Sequence, residues 1–380
     1  MCPSTIVEAA AAVQSPPPPV PPEARAALRA WYRRAARPLP WRAAGEAPDP
    51  WSVLVSEFML QQTTVATVRA RFPAFLARFP DPAALADAGA EAVLHAWQGL
   101  GYYRRARLLH ACAREIRDRH GGRVPRQRAA LEALPGIGPY TAAAVAAIAF
   151  GEPVVPVDGN VARVLARLHA IARPLTRAMP ELRRLAAGLG DPEAPAEGAQ
   201  AWIELGALLC RPRRPRCGDC PLALGCRARR EGRQEEIPVP PPRTARPRRY
   251  GRAFLARRGD GRILLRRRPE GGLLGGMMEL PGTAWEDVPP GDPPAFPLSG
   301  RWSRVPGRVR HPFTHFALEL ELWRGEVEAP ADQPGWYLPA EMAGLALSSL
   351  TRRLLRHGGV EPPAVRGARR PSGGAAAGRE

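Results

Sequence analysis

The 380-residue chain contains no lysine. Every fixed side-chain cation is therefore an arginine, and no side-chain amine is on hand to form a Schiff base with a carbonyl; only the terminal amine could do so. A GC-rich coding bias suffices to explain the absence, but the chemical exclusion stands whatever its origin. Long apolar runs are missing too. The longest helical one, Thr141 to Phe150, falls well short of the ~20 residues that span a bilayer. No basic residue precedes Arg25, which is unlike a secretory leader. The expectation is a soluble, intracellular, cytoplasmic protein with no membrane partner. Cysteine is scarce, at six residues; in a reducing compartment that argues against a disulfide scaffold and for metal ligation where the spacing allows it.

What abounds is positive charge. The 55 basic residues face 36 acidic ones, a formal net charge of +19, and such an excess favours a polyanionic partner, nucleic acid first and a membrane surface second. Apolar residues make up 45% of the chain, enough for real cores, and the length exceeds what one core usually holds. Residues 1–22 are rich in alanine and proline and are expected to be disordered. Residues 23–231 carry helical periodicity over Ala24–Ala36, Trp51–Phe72, Ala90–Leu100, Arg104–His120, onward from Leu131, Thr141–Ala149, Asn160–Ile171 and Pro180–Leu189. A Pro- and Arg-rich linker is expected at 232–248, stiffened by the prolines from Pro238 to Pro242. Over 249–357 the period changes: Tyr250–Ala256, Arg262–Arg267 and Phe316–Trp323 alternate like strands, with a closing helix within Pro339–Arg356. Residues 358–380 form a second tail. The expected fold is mostly α, a helical domain followed by a smaller α+β domain.

Four of the cysteines, Cys210, Cys217, Cys220 and Cys226, stand as C-x6-C-x2-C-x5-C beside the basic run Arg211 to Arg216. Four thiolates on one loop can hold a [4Fe–4S] cluster or a zinc ion. Zinc sites usually pair two close cysteine sets, and here one CxxC exists with no histidine among the ligands, so the spacing favours the cluster. Cys2 and Cys112 lie outside the pattern, one in the tail, the other a small apolar residue for a core.

Leu134-Pro-Gly-Ile-Gly138 places two glycines in a turn that opens a helix, an arrangement that offers backbone N–H groups to a phosphate; a plain connecting turn is the alternative. Asp158 follows the apolar Val154-Val-Pro-Val157 and sits where a helix N-cap belongs, a position whose backbone hydrogen bonds favour the ionised carboxylate. Glu57, inside Val53-Leu-Val-Ser-Glu-Phe-Met-Leu60, has the opposite setting, where desolvation favours the protonated acid. One protonated and one ionised carboxylate suit cleavage of a glycosidic bond, in which the leaving group gains a proton while the sugar becomes cationic. Capping alone for Asp158, and the polar stripe of an amphipathic helix for Glu57, are the ordinary alternatives.

From about residue 24 to residue 355 the chain resembles the adenine DNA glycosylase (MutY) family of the helix-hairpin-helix glycosylase superfamily. The matching stretches are Leu39-Pro-Trp-Arg42, Trp51 to Thr63, Gly99-Leu-Gly-Tyr-Tyr103, Leu134 to Gly138, Val157-Asp-Gly-Asn-Val161, Glu204-Leu-Gly206 and the four cysteines. The resemblance implies that Glu57 is the general acid toward adenine N7, that Asp158 stabilises the sugar cation or bonds to it transiently, and that Tyr140 lies beside the reacting sugar. It implies that Gln62 wedges into the duplex with Thr63 beside it, that Tyr102 is its neighbour across the lesion, and that the hairpin glycines Gly136 and Gly138 meet the backbone. Trp41, Arg42 and Glu204 resemble adenine-pocket residues; a core aromatic, a surface charge and a helix-face acid are their alternatives. The lyase relatives hold a lysine where this chain has Tyr140, so a monofunctional enzyme is implied. Leu264 to Gly282 resembles the start of a Nudix fold, but Thr283 to Pro290 lacks the row of glutamates that would hold magnesium. The implied role of that domain is to read 8-oxoguanine through Phe313, Thr314 and His315, with threonine in place of the family's serine. The implied partner is double-stranded DNA with adenine opposite 8-oxoguanine or guanine, acted on by a monomer. Two other readings stay open: a glycosylase of the same fold with another mismatched-base preference, and a catalytically silent DNA-binding protein.

Overall fold

The computed structural model describes residues 20–42, 48–241 and 246–364. Most of the two expected tails, Cys2 among them, and part of the expected linker lie outside those residues. In chain order the helices are α1 (Pro22–Ala35), α2 (Pro50–Leu60), α3 (Val65–Arg78), α4 (Pro82–Ala86), α5 (Ala90–Ala96), α6 (Arg104–Arg119), α7 (Arg128–Glu132), α8 (Pro139–Phe150), α9 (Gly159–Leu168), α10 (Leu175–Ala186), α11 (Pro195–Glu204), α12 (Arg227–Arg230) and α13 (Ser349–His357). The strands are β1 (Arg248–Arg258), β2 (Ile263–Leu264), β3 (Arg266–Arg267), β4 (Met278–Glu279), β5 (Gly300–Arg304), β6 (Val309–Pro312), β7 (Ala317–Val327) and β8 (Trp336–Tyr337). Proline opens α1, α2, α4, α8 and α11, where its missing N–H costs nothing because the first turn has no intrahelical acceptor. Among the described residues no helix is long and apolar enough to cross a membrane.

Two compact units interleave along the chain. Among the described residues, one holds those up to Pro38, Arg126–Glu132 and 138–241; the other holds those within Leu39–Pro125, Ala133–Ile137 and the residues from 246 on. In the first, the apolar side of α9 (Val161, Val164, Leu165, Leu168) packs with Trp31, Leu182, Trp202 and Leu205. Val20 and Ile237 belong to that core as well. The expected tail and linker are therefore anchored where they meet the helices, because each places an apolar side chain in the first unit's interior.

In the second unit Phe58, Phe72, Leu85, Trp97, Leu109 and Ile116 are buried from α2 through α6. The same unit carries a sheet in the order β5-β7-β1-β2-β8, with β6 also on β7. β1 and β7 run parallel from the Arg248–Ala317 pair to the Arg258–Val327 pair. One face of the sheet, with Leu318, Leu320 and Leu322, packs against Leu350, Leu354 and Leu355 of α13. On the other face the buried Arg252 bonds Glu321, Gly291 O and Pro290 O. The stretch from Thr283 to Ser299 holds no helix, in keeping with the missing acidic helix.

The helical expectations hold in outline and fail at particular joints. Trp51–Phe72 is two helices, broken at Gln61–Thr64. α10 begins at Leu175 and carries Pro180 inside it rather than at its start. α4, α11 and α12 were not expected.

Candidate active site

Glu57 lies one turn from the C-terminus of α2, a helix capped by Asp49, whose side chain accepts from Ser52 N at 2.8 Å. Its residue is 5% exposed, and Val55, Phe58 and Met59 beside it are fully buried. The chain then turns sharply: Gln62 has φ +54° and is exposed, and Thr64 caps α3. Tyr102, at φ +46° and 49% exposed, ends a second irregular loop in the same unit. Thr63 Oγ1 donates to Leu100 O at 3.2 Å and so joins the two loops.

Arg105 joins them more firmly. This residue is 7% exposed; it donates to Phe58 O and Met59 O at 2.8 and 2.9 Å, to Thr63 Oγ1 at 2.8 Å, and to Leu100 O and Gly101 O at 3.1 and 3.2 Å. Burial pulls its pKa down to about 10, still charged at neutral pH. It satisfies carbonyls that a helix end and two loops leave without intrahelical donors.

Gly136 has φ +79°, and a Cβ there would stand 2.8 Å from Leu108 Cβ and 3.0 Å from the Phe58 ring. The hairpin can close on α2 because this residue has no side chain. Trp41 is buried edge-on against Phe72, with centroids 5.5 Å apart, so the structure places it as a core aromatic; Arg42 is half-buried.

In the first unit, Gly138 precedes α8, and Tyr140 is half-buried in that helix's first turn. Asp158 caps α9: one carboxylate oxygen accepts from Val161 N at 2.7 Å and the other from Asn160 Nδ2 at 2.9 Å. The cap is as expected, but its electrostatic outcome is not. Burial pushes the Asp158 carboxyl above the ordinary aspartate range, outweighing the hydrogen bonds from Val161 and Asn160 and the charge of Arg163. Glu204, at the end of α11, is fully buried, and Arg37 donates to both its oxygens at 2.5 and 2.9 Å. It is thus the inner member of an ion pair rather than an acid on an open helix face.

The four cysteines occupy one loop of the first unit. A π-helical turn over Leu205–Leu209 leads to Cys210, a 3-10 turn begins at Cys217, and Cys226 precedes α12. Arg163 Nε donates to Cys210 O at 2.8 Å. Arg167, 2% exposed, reaches Cys210 Sγ at 3.3 Å, Arg211 O at 2.7 Å and Ile237 O at 2.8 Å. Burial pushes the Cys220 thiol up to about 11, and the thiols of Cys217 and Cys226 upward as well, with the neighbouring cysteines adding to each. Among the described residues no three His, Cys, Asp or Glu side chains are gathered as around a single metal ion. Cys112 is fully buried, with its thiol pushed up to about 12, the inert core residue expected.

Phe313, Thr314 and His315 form the turn between β6 and β7, closed by Phe313 N donating to Phe316 O at 2.9 Å. Phe313 packs on Phe316 and Trp285, with centroids 4.9 and 5.6 Å away. Thr314 and His315 are exposed at the tip, and Thr314 Oγ1 is 3.5 Å from Tyr102 Oη. The second unit thus brings together Glu57, Gln62, Thr63, Tyr102, Gly136 and the Phe313–His315 turn, while Asp158, Tyr140, Gly138, Glu204 and the cysteines belong to the first. Arg105, Arg163 and Arg167 were missed from the sequence. The last two, four residues apart, share the face of α9 turned away from Val161, Val164, Leu165 and Leu168, so helical spacing reads them as a solvated charged face although both are buried.

Two family models match the chain: the HhH-GPD superfamily of base excision DNA repair proteins over residues 55–186, and the NUDIX domain over residues 252–357. The adenine DNA glycosylase of Homo sapiens is 34% identical over 91% of this chain and 76% of its own length. That of Mycobacterium tuberculosis is 47% identical over 51% of this chain and 64% of its own. Among solved structures, a thermostable thymine-DNA glycosylase is 26% identical, with a TM-score of 0.46 over 55% of this chain and 95% of its own.

Proposed function

Since this chain belongs to the adenine DNA glycosylase family of base excision repair enzymes, we propose that its substrate is adenine opposite 8-oxoguanine or guanine in double-stranded DNA, and that it hydrolyses the N-glycosidic bond without cutting the strand. The observation that carries this reading is a pair of carboxyls: Glu57 is buried on an apolar helix, and Asp158, at the cap of α9, has each oxygen held by an N–H donor. In the proposed reaction Glu57 gives a proton to N7 of the flipped-out adenine, so the base leaves neutral. Asp158, ionised, faces the sugar as positive charge develops at C1′; its donors hold the carboxylate in place before the reaction starts, so no reorganisation is needed. Tyr140 is read as a group beside the reacting sugar, Trp41 and Arg42 as contacts of the flipped-out adenine, and Glu204 as the residue that orients Arg37. With no lysine in the chain, the sugar is left for water to attack.

Gln62 and Thr63 are read as the wedge at the vacated position and Tyr102 as the group stacked beside the lesion, with Gly136 and Gly138 shaping the hairpin toward a backbone phosphate. Thr314 and His315 are read as donors and acceptors for the base opposite adenine, held out by the Phe313 anchor. The donor set on the cysteine loop suits a [4Fe–4S] cluster: four sulfurs with no carboxylate among them, and the buried Arg167 within hydrogen-bond reach of Cys210 Sγ. Cys210, Cys217, Cys220 and Cys226 would hold it, and when bound it supplies four iron–sulfur bonds that close a loop rich in arginine. The enzyme is read as acting as a monomer on the nucleoid. Single-turnover adenine release from a panel of mispaired duplexes tests the substrate. Glu57→Gln is expected to bind 8-oxoguanine:adenine duplex as the unaltered enzyme does and to release no adenine, because an amide cannot donate the proton. Retention of more than about a tenth of the rate, a loss below ~1.4 kcal/mol, would remove Glu57 from that role.

A further inference from the structure

Gln98 is a neutral residue at the foot of α5, yet it is 2% exposed and both ends of its amide are engaged. Nε2 donates to Leu345 O at 2.7 Å, and Oε1 accepts from Arg352 Nη2 at 2.7 Å. Arg352 lies on α13 and is itself 7% exposed. The next residue on that helix, Arg353, donates to Arg310 O in β6, the strand that runs into the Phe313–His315 turn. In the other direction Gln98 leads directly into Gly99–Tyr103, the loop whose carbonyls at Leu100 and Gly101 are held by Arg105. Arg105 in turn holds Thr63 and the end of α2. Polar contacts joined by short stretches of chain, all within the second unit, therefore run from the β6–β7 turn by the exposed Arg353 to α13, and through the buried Arg352, Gln98 and Arg105 to the turn that carries Gln62 and the helix that carries Glu57.

We infer that Gln98–Tyr103 is a coupling segment, and that Arg352 and Arg105 are positioning residues through which the base read by the β6–β7 turn sets the placement of Tyr102, Gln62 and α2. The inference rests on the reading of Thr314 and His315 given above. Both arginines suit the task because a guanidinium is planar and offers five donors in fixed directions, so a shift of one bonded segment is felt by the others.

The test is a double-mutant cycle in the full chain with Gln98→Met and Arg352→Met, both at buried positions. Single-turnover excision of adenine is measured opposite 8-oxoguanine and opposite guanine. Each variant is expected to lower the ratio of the two rates about tenfold, and the double variant no further than either single. The rate opposite guanine is expected to stay within about twofold, with Arg352→Lys restoring part of the ratio. His315→Ala is run in parallel: if it leaves the ratio unchanged, the lesion-reading role of the turn fails and the coupling falls with it. If His315→Ala lowers the ratio while Gln98→Met and Arg352→Met do not, or if their losses add, the coupling alone is overturned. Equal loss of rate on both mispairs, together with a lower melting temperature, would mark the contacts as structural only and overturn it as well.

Discussion

The two glycines of Leu134-Pro-Gly-Ile-Gly138 stand two residues apart and carry opposite expectations for an added methyl group. At Gly136, alanine must adopt φ near +79° and place a Cβ 2.8 Å from Leu108 Cβ and 3.0 Å from the Phe58 ring. The left-handed backbone costs roughly 1–2 kcal/mol for an L-residue. Overfilling a packed contact with Phe58, fully buried, adds about 1–3 kcal/mol because the ring cannot move without shifting α2. Gly136→Ala is thus expected to cost about 2–5 kcal/mol, a fall in melting temperature on the order of 5–15 °C. Any displacement of Phe58 also moves Glu57 next to it, so single-turnover excision falls below the melting transition too. Gly138 has φ −105° with nothing within 4 Å of a built Cβ. Gly138→Ala is expected to change stability by no more than about 0.5 kcal/mol but to weaken DNA binding, since a methyl group obstructs the approach of a phosphate to the hairpin N–H groups. Differential scanning fluorimetry and binding isotherms at fixed salt separate the two, because so basic a protein binds any duplex at low ionic strength. Equal melting temperatures for the two variants would refute the packing argument at Gly136.

Asp158→Asn is expected to melt no lower than the unaltered enzyme at neutral pH. The folded-state pKa is raised, so ionising this group opposes folding, and the amide removes that cost while still accepting from Val161 N. Its excision rate should nonetheless fall by more than about tenfold. For the same reason the acidic limb of the rate profile should lie above the ordinary aspartate range, with activity lost as pH drops through it; a limb at or below that range would contradict the burial argument. Borohydride is expected to trap no covalent adduct between DNA and an enzyme with a blocked N-terminus, and abasic product should break only on alkali; efficient trapping would end the monofunctional reading. Anaerobically purified protein should be yellow-brown with iron in excess of zinc, and Cys220→Ser should lose the colour and DNA affinity before adenine chemistry in the residual folded fraction. Stoichiometric zinc without iron would overturn the cluster.

The parts legible in the sequence are those decided within a few residues: the cysteine spacing, the cap at Asp158, the presence of β1 and β7 though not their burial on both faces, the glycine turn. What escaped depends on distant packing. The break between α2 and α3 carries no glycine or proline, and the apolar spacing of Trp51 to Phe72 runs straight through it; the left-handed Gln62 interrupts it, held in place by Thr63 and Arg105. Pro180 invites a helix start by its preference for the first turn, yet α10 begins five residues earlier. The capping motif at Asp158 predicts a lowered pKa from local hydrogen bonds, whereas the larger effect comes from burial that the local sequence does not encode. Arg105 could not be singled out among so many arginines.

The lack of lysine, first met as a limit on chemistry, acquires a second meaning in the interior. Arg105, Arg163, Arg167, Arg252 and Arg352 are each 8% exposed or less, and each fans out to bind carbonyls of segments that have no ladder of their own. An ammonium group has one centre and three donors, and it sheds its proton readily when buried; it could neither bridge such a spread of acceptors nor stay charged as reliably. Arginine-to-lysine exchange, a routine way to adjust the surface of a basic protein, is therefore safe here only on the outside. Applied throughout, it would unfasten the loops one by one, although the formal charge counted from the sequence would not change.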